Sequence, residues 1–223
     1  MKVLLFGATG MVGQGVLREC LLAGDVTAVV SVGRGAVPIT HPKLEQIVQA
    51  DLASLAAHES ALRGFDACFF CLGVSSAGMT EAAYHRLTYD LTLAVAQALA
   101  PLNPDMVFTY VSGAGTDSSE RGPSMWARVK GKTENALLRL PFKAVYLLRP
   151  GMIQAKHGAR SKTPLYRWTY LAFMPVMPLL RAAMPNQVAT TETMGQAMLN
   201  AVRRGAPQAV LEPADIERLS RPA

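Results

Sequence analysis

The sequence predicts a doubly wound α/β domain, a parallel β-sheet with helices on both faces. Apolar runs of four to seven residues recur between helical patterns, hydrophobic residues make up 50% of the chain against 17% charged, and a glycine-rich turn directly follows the first apolar run. Short apolar runs separated by helices are the signature of strands buried on both faces. The chain has 223 residues and no linker rich in Gly, Ser or charge. Residues 1–223 therefore read as a single domain, with 157–223 forming its substrate-side or lid region.

Residues 3–6, Val3-Leu4-Leu5-Phe6, form the first strand, and the turn from Gly7 to Gly13 opens a helix over 11–23. Strands at 26–32 and 44–48 complete a β-α-β-β opening. Residues 53–62 predict a short helix and 67–72 a buried strand. Thr80 caps a long helix over 81–100, which Pro101 stops. A strand over 106–111, a helix over 124–140 and a strand over 144–148 continue the alternation, which Arg149-Pro150-Gly151 ends. A last helix spans about 191–203. Between these, prolines at 164, 175, 178 and 185 break an apolar stretch that also carries Arg167 and Arg181. A membrane-spanning helix needs about 20 largely apolar residues, so 164–185 is not one. It reads either as a lid beside a cleft or as an interfacial segment in peripheral contact with anionic lipid.

The net charge of +6 is uneven: residues 1–120 hold six Lys/Arg against eleven Asp/Glu, whereas 121–181 hold twelve against the single acid Glu134. A local positive field favours anionic ligands or surfaces. No nucleic-acid recognition motif is interleaved with it, so nucleic acid is not an expected partner. Three cysteines do not make a disulfide framework, and no export signal is visible; a cytoplasmic protein is expected. Cys68 and Cys71 lie inside the apolar run Cys68-Phe69-Phe70-Cys71, not at a helix start, and read as core thiols. His41, His58, His85 and His157 show no metal-ligand spacing, so no metal site is expected.

The turn Gly7-Ala8-Thr9-Gly10-Met11-Val12-Gly13 stands between strand and helix, the context in which glycines bind a pyrophosphate. Small residues permit the tight turn and close backbone approach, and the first amides of the helix face the phosphates. Gly7, Thr9, Gly10, Met11, Val12 and Gly13 are thus expected to contact a dinucleotide. At the end of the second strand such folds place the group that reads the adenosine ribose, an acid where the ligand is NAD. This chain has Ser31-Val32-Gly33-Arg34-Gly35, with no acid. A guanidinium there suits a 2′-phosphate, so NADP(H) is preferred over NAD(H); otherwise Arg34 is a solvated loop residue. Asp51-Leu52 stands where an acid and an apolar residue meet the adenine, although Asp51 reads equally as a helix cap.

Taken in order, the Gly-x-x-Gly-x-x-Gly turn, Cys71-Leu72-Gly73, Val111-Ser112, Val129-Lys130-Gly131 and Leu148-Arg149-Pro150-Gly151 resemble an atypical short-chain dehydrogenase/reductase. The similar branch is that of NAD(P)-binding proteins like the Tat-interacting oxidoreductase, and the resemblance covers residues 1–155. It implies a Rossmann fold with the cofactor across the C-terminal edge of the sheet. It also implies cofactor contacts at Cys71, Leu72, Gly73, Lys130, Pro150 and Gly151, and an active site at Ser112 and Lys130.

That family pairs its lysine with a tyrosine four residues earlier, which exchanges a proton with the substrate oxygen. Here the helix reads Trp126-Ala127-Arg128-Val129-Lys130, and an indole N–H donates a hydrogen bond without acting as an acid. A second departure is Thr88, where related enzymes carry an asparagine. Both fall on the proton-transfer apparatus. Ser112 reads otherwise as a strand-end hydroxyl and Lys130 as a solvated lysine. Ser112 is no hydrolase nucleophile, since Val111-Ser112-Gly113 lacks the Gly-x-Ser-x-Gly setting and no histidine is placed to serve it. Two functions remain open. One is an NADP(H)-dependent oxidoreductase or isomerase acting on a small molecule, with water, Ser112 or the substrate supplying the proton. The other is an NADP(H)-binding protein without turnover that orders a surface for a partner or membrane.

Overall fold

The computed structural model describes residues 1–159 and 188–222. The strands are β1 (Lys2–Phe6), β2 (Ala28–Gly33), β3 (Leu44–Val48), β4 (Ala67–Phe70), β5 (Val107–Val111), β6 (Ala144–Leu148), β7 (Met152–Gln154), β8 (Val188–Thr190) and β9 (Val210–Leu211). The helices are α1 (Met11–Leu22), α2 (Glu81–His85), α3 (Leu91–Leu99), α4 (Met125–Leu137), α5 (Thr191–Arg204) and α6 (Pro213–Ser220). Seven strands make one parallel sheet in the order β3-β2-β1-β4-β5-β6-β9, and β7 pairs with β8. This is the expected doubly wound Rossmann architecture. The chain steps outward from β1 to β3 and returns to β4 on the other side of β1, which makes the β1–β4 boundary the topological switch point. Because all pairs are parallel, every loop leaving a strand end opens on the same edge.

Alternation along the strands builds two cores. Val3 and Leu5 face one core with α1, α5 and α6, whereas Leu4 and Phe6 face the other with α3 and α4. Phe6, Phe70 and Phe108 stack across β1, β4 and β5 with centroids 5.5 and 5.9 Å apart, and Phe142 extends the row at 5.0 Å. Each buried phenyl contributes roughly 1.5–3 kcal/mol. A one-residue slip would turn the whole row to the other face, so the register is strongly specified.

The structure departs from the sequence reading in three places. The long helix expected over 81–100 starts as predicted, with Thr80 Oγ1 accepting the Ala83 N–H at 3.3 Å, but it widens into a π-turn at Arg86–Asp90 before α3. The helix expected over 53–62 is a 3₁₀ turn at Ala56–Leu62. The third is in the C-terminal part of the domain, where the sheet gains an edge strand that the sequence reading did not include: α5, expected over about 191–203, buries Met194, Ala197, Met198 and Leu199 in the first core, and β9 lies beside β6. A Cβ on Gly15 would lie 2.5 Å from the Thr191 Cβ, so α1 and α5 meet this closely only through a glycine. Apolar periodicity marks a buried face without saying what it is buried against. The stretch 164–185, read as lid or interfacial segment, lies outside the described residues. Among the described residues no helix is long and apolar enough to cross a membrane.

Candidate functional site

Gly7 leaves β1 at φ +85°, and a Cβ there would stand 2.7 Å from the Cys71 carbonyl carbon on the chain leaving β4. A Cβ on Gly13 would stand 2.1 Å from the Gly7 carbonyl oxygen. The turn, the start of α1 and the end of β4 thus approach backbone to backbone. Gly10 N–H donates to the Gly7 carbonyl at 2.9 Å and Gln14 N–H to the Gly10 carbonyl at 2.8 Å. The amides of Met11, Val12 and Gly13, which lie between, have no acceptor within the helix. The first turn of α1 holds no acid, so no carboxylate competes for its positive end. Thr9 is half-buried beside them, its carbonyl accepting from Gln14 Nε2 at 3.1 Å. This cradle, which side chains would fill, fits a pyrophosphate.

Arg34 follows β2 on the same edge, exposed and unpaired among the described residues. Its loop is held from β3: Gln46 Oε1 accepts the Val37 N–H at 2.8 Å, and Gln46 Nε2 donates to the Val37 carbonyl at 3.3 Å. Asp51 Oδ1 accepts the Ala53 N–H at 3.0 Å within a turn, not at a helix start, since the 3₁₀ segment that follows has Leu55 at its N-cap, and Leu52 is buried in the second core. Cys71 N–H donates to the Phe6 carbonyl at 2.9 Å, with Leu72 half-buried and Gly73 exposed beyond it. Burial holds the Cys68 and Cys71 thiols well above the usual thiol value, where they stay protonated, and pushes Cys20 up to about 12. Pro150 is buried and its carbonyl accepts the Ala114 N–H at 2.8 Å; Gly151 follows, half-buried. That bond ties together the loops after β5 and β6.

Ser112, Trp126 and Lys130 converge at the end of β5. Ser112 is 8% exposed, and its N–H donates to the Leu148 carbonyl at 2.8 Å. Its Oγ lies 2.8 Å from Thr116 Oγ1, which itself donates to the Gly113 carbonyl at 2.7 Å. A hydroxyl has one proton. With that of Thr116 committed to Gly113, the Ser112 proton points at Thr116, and Ser112 has only lone pairs left for other partners. Trp126, in the first turn of α4, lays its indole along the loop after Ser112: Cβ atoms on Gly115 and Gly113 would lie 3.6 and 3.9 Å from its six-membered ring. The ring is a wall, not a proton source.

Lys130, one turn beyond Trp126, donates from Nζ to the Ser112 carbonyl at 3.3 Å and stands 5.4 Å above the Tyr110 ring. Burial lowers its pKa to about 8, partly opposed by Glu134. Glu134, 1% exposed, is itself held by Arg149, whose Nε lies 3.1 and 3.2 Å from the two carboxylate oxygens. Arg149 also reaches Glu212 at 3.2 Å and Ser118. The pair joins α4, the end of β6 and the start of α6. Glu134→Gln should lower unfolding stability by roughly 1.5–3 kcal/mol, the worth of a hydrogen bond to a charged group, measurable in urea unfolding. The same change should drop the Lys130 pKa further, because it removes the one charge that raises it.

Sequence reasoning missed Thr116, Gln46 and the Arg149–Glu134 pair. Only the last left a signal, since Glu134 is the lone acid among thirteen charged residues over 121–181. Thr88 sits on the π-turn with its hydroxyl buried and without a partner among the described residues. A turn of this kind often marks a functional site, and such an orphan hydroxyl is what an ordered water satisfies.

A family model described as NAD(P)H-binding matches residues 7–139. The chain is 32% identical over 164 residues to "Protein FMP52, mitochondrial" of Eremothecium gossypii, covering 73% of this chain and 70% of that protein. It is 30% identical over 162 residues to "Protein fmp52, mitochondrial" of Emericella nidulans, covering 68% and 66%. The NAD+ complex of the Bordetella bronchiseptica enzyme WbmF has the same fold, with a TM-score of 0.66 and 15% identity over 97% of this chain and 76% of that one. The fungal relatives overturn the expectation of a cytoplasmic protein, since both are named as mitochondrial. Unpaired cysteines indicate a reducing environment and do not choose among compartments.

Proposed function

The chain belongs to the NAD(P)H-binding family, within the atypical short-chain dehydrogenase/reductases, and from that premise we propose that it is an NADP(H)-dependent oxidoreductase of small carbonyl or hydroxyl compounds. The observation that carries this reading is the convergence, on one sheet edge, of the glycine cradle with Ser112 and Lys130. Amides of Met11, Val12 and Gly13 would hold the pyrophosphate, and Arg34 the 2′-phosphate. When bound, the nicotinamide supplies or accepts the hydride. The loops after β4, β5 and β6, with Trp126 as a wall, would bound the place where the substrate meets it. Ser112, with its proton turned to Thr116, can accept a hydrogen bond from a substrate hydroxyl. A second reading, nucleotide binding without turnover, is favoured by the Trp126 indole lying where the family's phenol would be.

Titration calorimetry with NADPH and NADH tests the cofactor. Wild type should prefer NADPH, and Arg34→Ala should weaken NADPH by about tenfold or more while leaving NADH little changed, the worth of a charge-assisted bond to phosphate. Equal affinities of wild type for the two nucleotides would sink the NADP(H) assignment.

A further inference from the structure

An oxidoreductase of this kind must put a proton on oxygen as well as a hydride on carbon. The usual phenol is absent, since position 126 is an indole that cannot ionise near neutral pH. Ser112 cannot take over, because its proton is committed to Thr116. Tyr110 and Tyr84 are buried in the sheet and its flanking helix, and burial lifts Tyr110 far above the usual phenol range. We propose that Lys130 is itself the proton donor and acceptor of this site, taking the place of the missing tyrosine. The inference rests on the oxidoreductase reading above.

The surroundings of Lys130 suit the task. Its described partners are neutral, the Ser112 carbonyl and the Tyr110 ring, so no carboxylate pins its proton. The nearest acid, Glu134 on the same helix, is occupied by Arg149 from the end of β6. Half-buried beside a carbonyl and a ring, the ammonium is poorly solvated and gives up its proton readily. In the reductive direction, the hydride and its electron pair pass from dihydronicotinamide to the carbonyl carbon, leaving the oxidised ring. The C=O π pair becomes an O–H bond by taking a proton from the ammonium, and the neutral amine left behind is reprotonated from water.

The first test needs no turnover. NMR titration of protein carrying isotope-labelled lysine, with Lys130 assigned by its absence from Lys130→Arg, should show Lys130 titrating near 8, below the usual lysine value of 10.5. Between those values Lys130 of the folded protein has lost the proton that the unfolded chain keeps, so the stability of wild type relative to Lys130→Met should rise with pH across that window, set against the fall that the three buried thiols, kept protonated only in the fold, impose on both proteins. The second test is NADPH-dependent reduction of a carbonyl panel that includes phenanthrenequinone. Wild-type turnover should fall as pH rises through about 8, while Lys130→Arg and Lys130→Met should lose about 10² to 10⁴ of the rate. Arginine keeps the charge but cannot release a proton. A Lys130 that titrates near 10.5, or Lys130→Arg and Lys130→Met proteins that reduce the panel as fast as wild type, overturns the assignment. Failure of wild type to bind either nucleotide, or binding of NADPH with nothing in the panel reduced, overturns instead the oxidoreductase reading on which it rests.

Discussion

Gly13→Val protein should bind NADPH and NADH at least about 100-fold more weakly than wild type, a loss of some 2.7 kcal/mol or more on the calorimetric scale. A Cβ at this position would sit 2.1 Å from the Gly7 carbonyl oxygen, well inside any real contact, and the obstacle is backbone. Either the turn or the start of α1 must move, and the amides of Met11, Val12 and Gly13 move with it. Both nucleotides share the pyrophosphate, so both should suffer alike, in contrast to Arg34→Ala. Gly10→Ala serves as the graded control: a Cβ there would lie 3.3 Å from the same oxygen, a contact that small shifts relieve, and binding should weaken by less than about tenfold. Circular dichroism and thermal unfolding separate lost binding from lost folding. If folded Gly13→Val binds NADPH as wild type does, the cradle is not the pyrophosphate site.

The second large effect concerns Trp126 and depends on the background in which it is replaced. Trp126 and Lys130 are four residues apart on α4 and so share a face of the helix. If Lys130 already moves the proton, a phenol at 126 is redundant, and Trp126→Tyr alone should change NADPH-dependent carbonyl reduction by less than about tenfold. In Lys130→Arg the donor is gone but a cation remains beside the new phenol and lowers its pKa. There, Trp126→Tyr should recover a large part of the missing rate, about 10²-fold. The opposite pattern, a jump of that size from Trp126→Tyr in the wild-type background, would mean that the natural protein lacks any donor and that Lys130 only binds ribose. Trp126→Phe, which keeps a ring against Gly113 and Gly115 without an ionisable group, should rescue neither background.

The parallel sheet and its cofactor edge were legible in the sequence because each depends on local chemistry. Val3 to Phe6 has no polar side to turn to solvent and must be buried on both faces. Gly7, Gly10 and Gly13 follow directly, so the phosphate cradle is placed by the chain itself at the end of β1. The missing acid near Arg34 and the missing phenol at 126 are likewise matters of residue identity. What these residues do to one another is not, because it turns on the path of a loop and on contacts between separate elements. Thr116 takes the Ser112 proton only because the loop after β5 folds back on Gly113, and Glu134 is withdrawn from Lys130 only because β6 delivers Arg149 beside it. The apolar face of α5 was visible, yet not that α1 would receive it through Gly15, or that β9 would close the sheet beyond β6. Periodicity and propensity fix which face of an element leaves water; the partner on that face, and the proton affinity of a group trapped between two such faces, are set by packing across the whole chain.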